Sequence, residues 1–66
     1  MKKPKEKPKV KLVGEDGNAF AIMGRVTKAL KRAGADEEYV TQYIDEATSG
    51  NYDHLLCVTM EYVEET

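Results

Sequence analysis

The chain has 66 residues, with ten Lys and Arg, twelve Asp and Glu, one Cys and one His. The near-neutral sum conceals a split. Residues 1–34 hold every Lys and Arg against only Glu6, Glu15 and Asp16, whereas residues 35–66 hold nine acids and no Lys or Arg. This length sets one domain at most, one Cys excludes an internal disulfide, and Cys57 with His54 falls short of a four-ligand zinc site.

A domain this small buries only about 60% of its extended-chain surface. Its core supplies no more than roughly 3–5 kcal/mol of net stability, so self-association as a homodimer is a natural expectation. No apolar run nears the ~20 residues of a membrane span, and the basic N-terminus lacks the apolar stretch of a signal peptide. A cytoplasmic location without a membrane partner is the expectation that follows.

Residues 1–9, MKKPKEKPK, read as a flexible basic arm. Pro4 and Pro8 block helix propagation, and five lysines repel one another. Residues 10–66 read as a single small helical domain. Residues 9–13, KVKLV, alternate, which puts Val10 and Leu12 on one face of an extended segment. The stretch GEDGN at 14–18 reads as a turn into a helix; Asp16-Gly17 could close a hairpin, but the residues after it do not alternate.

The spacing predicts a helix over 19–33, capped by Asn18. Ala19, Ile22, Met23, Val26, Leu30 and Ala33 form its apolar stripe, with Phe20 covering the edge. Lys31 and Arg32 suit the negative helix end, and Gly34 can take the left-handed conformation that stops it. Gly24 inside the helix suggests close approach of another backbone. A second helix is predicted over 37–48, with Asp36 as cap, Glu37 and Glu38 in the first turn, and Tyr39, Val40, Tyr43, Ile44 and Ala47 inward. After the turn at 49–51, residues 52–63 fit helical spacing through Tyr52, Leu55, Leu56, Thr59, Met60 and Val63, with Asn51 as cap. Residues 57–63 are also rich in strand formers. The fold class is therefore mostly α: a small three-helix domain with an extended N-terminal segment. The alternative is α+β, with residues 9–13 paired to a C-terminal strand near 57–63. A lysine-flanked strand beside an acidic one favours that pairing.

The segment VKLVGEDGNAFAIMGRVTKALKRAG, the acidic stretch DEEYVTQYIDEA and the closing SGNYDHLLCVTMEYVE resemble a family of small, uncharacterised bacterial proteins often encoded on phages, plasmids or other mobile elements. The resemblance spans nearly all of residues 10–64, with GEDGNAFAI and SGNYDHLL as its characteristic blocks. It implies an accessory protein of a mobile element and carries over no activity and no site residue.

The residues themselves point to a non-enzymatic module. Adjacent Asp53 and His54 project about 100° apart on a helix and form no dyad. Cys57 lies three residues after His54, but the bland reading is a half-buried thiol near a histidine at a helix start. No catalytic residue, metal set or cofactor is expected. The first functional reading is a small protein-interaction or regulatory module, with Tyr39, Tyr43, Met60 and Tyr62 as candidate contacts if they are exposed; core packing is the first expectation for the Tyr39/Tyr43 pair. The alternative is weak, non-specific nucleic-acid binding. Lys2, Lys3, Lys5, Lys7, Lys9 and Lys11 of the arm would neutralise phosphates, and Arg25, Lys28, Lys31 and Arg32 would extend the surface.

Overall fold

The computed structural model describes residues 1–11 and 18–65. In chain order the elements are strand β1 (Lys9–Val10), helices α1 (Ala19–Arg32), α2 (Glu37–Ala47) and α3 (Tyr52–Tyr62), and strand β2 (Glu64–Glu65). Leu12, Val13 and the GEDG turn lie outside the described residues.

Each helix starts where the sequence places an oxygen to receive orphan amides. Asn18 accepts from the Phe20 amide, Asp36 from Tyr39 and Asn51 from His54. The end of α1 is set by Gly34, at φ 104°. The Ala35 amide reaches back to the Leu30 carbonyl at 3.0 Å and the Gly34 amide to Lys31 at 3.1 Å, the paired bonds of a Schellman stop. That stop closes α1 at Arg32, one residue before the predicted end, and buries Ala35. α2 ends at Ala47, also one residue early, with the Thr48 hydroxyl donating to the Ile44 carbonyl at 2.8 Å.

The core takes Ile22, Val26 and Leu30 from α1, Val40, Tyr43 and Ala47 from α2, and Leu55, Val58, Thr59 and Tyr62 from α3, closed by Val10, Ala35 and Val63. The C-terminal segment thus follows helical rather than alternating burial. Leu55, Val58, Thr59 and Tyr62 fall at i, i+3, i+4 and i+7, and this stripe overrides the strand preference of its β-branched residues. The alternative strand at 57–63 does not form. The pairing it anticipated does, further along: at Val63 the backbone turns extended (φ −138°, ψ 164°), and β2 lies parallel to β1 with Lys9 opposite Glu64 and Val10 opposite Glu65.

Two expectations for α1 need correction. Phe20 does not cover the edge of the stripe; it is 80% exposed. Six residues before Val26, it sits roughly 120° around the helix from the stripe's centre. Gly24 approaches no described backbone, and a Cβ there would meet no described atom within 4 Å. It lies about 160° from Val26, on the outer face.

Residues 1–9, expected as a flexible arm, run along the helical body. The Lys2 amide donates to Asp36 Oδ2 at 2.8 Å, and the Asp36 amide donates back to the Lys2 carbonyl at 3.1 Å. Lys7 Nζ donates to the Met60 carbonyl at 3.4 Å, and the Glu64 amide to the Pro8 carbonyl at 2.9 Å.

Candidate functional site

The basic residues of two distant segments meet. In α1, Arg25, Lys28 and Arg32 recur at i, i+3 and i+7 and so share one side of the helix. In the extended N-terminal segment, Val10 is buried while Lys9 and Lys11 on either side of it are exposed. Between these two walls runs an open groove of about 440 Å³, lined by Lys9, Lys11, Arg25, Lys28 and Arg32. Its floor is apolar, formed by Pro8, Val10, Ala29 and Ala33. Among the described residues, none of Lys9, Lys11, Lys28 and Arg32 has a carboxylate at ion-pair distance. A neighbouring depression of about 530 Å³, lined by Lys5 and Lys7 with the acidic Glu6 between them, shares Pro8, Lys9 and Ala33 with the first. Lys2, Lys3 and Lys31 line neither.

The sequence singled out these cations without the groove that joins them. The missing signal was present as a double alternation: Lys-Val-Lys in the arm, and Arg25, Lys28 and Arg32 beside Ala29 and Ala33 one turn apart in α1.

The tyrosines point the other way. Tyr43 is fully buried and Tyr62 nearly so, while Tyr39 is half-buried. Tyr62 meets Tyr39 edge-on at 5.4 Å between ring centres and Tyr43 at 5.1 Å. Tyr43 shares a 2.7 Å hydrogen bond with the buried Thr59 hydroxyl. The Tyr62 phenol donates to Glu46 Oε2 at 2.7 Å and accepts from Gln42 at 3.0 Å. Burial pushes the Tyr62 phenol up to about 12, with the Glu46 carboxylate adding to the rise, and burial raises Tyr43 as well. The three rings therefore form a polar-tipped core cluster, not an exposed patch. Of the four candidate contact residues only Met60 is exposed.

His54 and Ser49 come close to a nucleophile–base pair, with Ser49 Oγ 3.1 Å from His54 Nε2. Both, however, converge on the Glu46 carbonyl, Oγ at 2.7 Å and Nε2 at 2.9 Å. A carbonyl only accepts, so Nε2 carries the proton and cannot act as a base toward Ser49. The group caps the end of α2. Gly50 makes room for it: a Cβ there would lie 2.8 Å from the imidazole ring. Cys57 is exposed. Among the described residues no three His, Cys, Asp or Glu side chains gather as a metal set.

At the junction of α1 and α2, Asp36 is held below the usual carboxylate range, first by the Tyr39 amide and then by the Lys2 amide. An exposed notch of about 280 Å³ also opens between Phe20 and Met23 of α1 and Tyr52 and Leu55 of α3. No described helix is long and apolar enough to cross a membrane. Comparison with protein-family models, with curated proteins and with solved structures finds no match to this chain.

Proposed function

We propose that the chain is a small, non-enzymatic protein-interaction module whose working surface is the basic groove between residues 8–11 and α1, and whose partner presents carboxylates. One observation carries this reading: Lys9, Lys11, Lys28 and Arg32 come from segments far apart in sequence, yet converge on one open groove with an apolar floor. Cations with no ion-pair partner among the described residues, set beside apolar surface, offer both steering and contact area to an acidic ligand. An accessory role for a mobile element is what the resemblance of its sequence blocks implies, and a cytoplasmic location is proposed from the lack of an apolar span among the described helices. The test is capture from a bacterial lysate on the immobilised chain and on a Lys28→Glu/Arg32→Glu variant. A protein retained by the parent chain after nuclease treatment, and lost from the variant, supports the reading. Equal retention on both removes the groove from the account.

Lys5 and Lys7 in the neighbouring depression favour a second reading, contact with nucleic-acid phosphates. None of the five aromatic residues lines either depression, so no ring is placed to stack on a base. Retention of nucleic acid alone, lost after nuclease, would select this reading.

A further inference from the structure

We propose that the groove binds its partner by strand addition: an extended acidic peptide pairs with the free edge of β1, the edge away from β2, and lies over Ala29 and Ala33 of α1. This inference rests on the protein-interaction reading and specifies its mode.

The geometry begins with the β1–β2 ladder. In an extended chain the N–H and C=O of one residue leave on the same side, and successive residues serve opposite edges. The Glu64 amide donates to the Pro8 carbonyl at 2.9 Å, with Lys9 opposite Glu64 in register. Pro8 and Val10 therefore address β2. Lys9 and Lys11 turn their backbone groups to the opposite edge, where no described backbone group pairs with them. An unpaired edge is a template for another strand.

Three features fit that strand to the groove. The floor beside the edge is Ala29 and Ala33, whose single-carbon side chains leave room for a backbone to lie over the helix. The flanks are Lys9, Lys11, Lys28 and Arg32, which select carboxylates alternating along the peptide. Third, β1 already pairs with an acidic strand: its other edge holds Glu64–Glu65. Lysines on a free edge repel a second basic edge, and an acidic strand is what such a guard admits. Nucleic acid would use the same cations, and its phosphates can accept from backbone amides, but it offers no alternating donors and acceptors to match a ladder of N–H and C=O groups.

The test uses the full chain labelled with ¹⁵N and three probes: an alternating Glu-Val octapeptide, the same peptide methylated at every backbone nitrogen, and a dodecathymidylate. Strand addition predicts that the octapeptide binds, slows exchange of the Lys9 or Lys11 amide by about tenfold or more, and loses at least about tenfold in affinity on methylation. Equal binding of both peptides, with Lys9 and Lys11 exchange unchanged, overturns strand addition and leaves the protein-interaction reading standing. Binding of the oligonucleotide but of neither peptide overturns both. A Lys28→Glu/Arg32→Glu chain supplies the control: both residues are exposed, so its fold is expected to persist while octapeptide binding falls.

Discussion

Tyr43 and Thr59 show how one polar pair can be placed in a small core. Each is fully buried, and each satisfies the other at 2.7 Å. Tyr43→Phe leaves the Thr59 hydroxyl without this partner and is expected to cost about 1–3 kcal/mol, whereas adding Thr59→Val removes the orphan and recovers part of the loss. Urea unfolding of the two single variants and the double variant reads the coupling; strict additivity would contradict the pairing. Tyr62 supplies a pH signature. Below its ordinary value of 10.0 the phenol is neutral in both the folded and unfolded chain, and its contribution is complete. Between there and about 12 the unfolded chain loses the proton while the fold retains it, so stability falls as pH rises. Tyr62→Phe should flatten that alkaline decline. Asp36 has the opposite sign: its depressed value gives stability that is present above the ordinary 3.8 and lost as pH falls through the folded-state value. Asp36→Ala should weaken the acid limb of the same pH–stability curve.

At the scale of elements, the three helices were legible because caps and apolar spacing agree, but the buried face of α3 runs through Val58 and Tyr62 and leaves the expected Tyr52 and Met60 exposed. Asn18, Asp36 and Asn51 cap where they were expected to, and Gly34 takes its positive φ. Two outcomes were less legible. The paired segment at 64–65 carries only glutamates, so no alternation marks it; its place is set by Val63, whose burial pulls the chain past the Pro8 carbonyl. The groove depended on which side of α1 faces the N-terminal segment, and charge spacing alone leaves that open. Glycine offers a direct check. Gly24→Ala adds a Cβ in open space on a helix exterior and is expected to stabilise by about 0.5–1 kcal/mol. Gly50→Ala should instead destabilise, because its Cβ displaces the His54 ring from the Glu46 carbonyl. The penalty should shrink in a His54→Ala background. Thermal melts of the parent and these four variants measure both effects, and an unchanged Gly50→Ala penalty without the imidazole would contradict the cap.

For the whole molecule, the charge division becomes spatial. The basic half supplies the groove along β1 and α1, while α2 and the C-terminal strand present Glu37, Glu38, Asp45, Glu64 and Glu65 outward. The formal net charge is −2, so net charge alone would disfavour an acidic ligand, an effect that salt screens. A defined groove predicts more: local charge must matter beyond the total. The decisive measurement is the affinity of the Glu-Val octapeptide at fixed ionic strength for Lys28→Glu/Arg32→Glu and for Glu37→Lys/Glu38→Lys, each against the parent chain. The groove account predicts a loss of at least about tenfold for the first and no weakening for the second. If reversing Lys28 and Arg32 leaves affinity unchanged, the groove is not the binding surface.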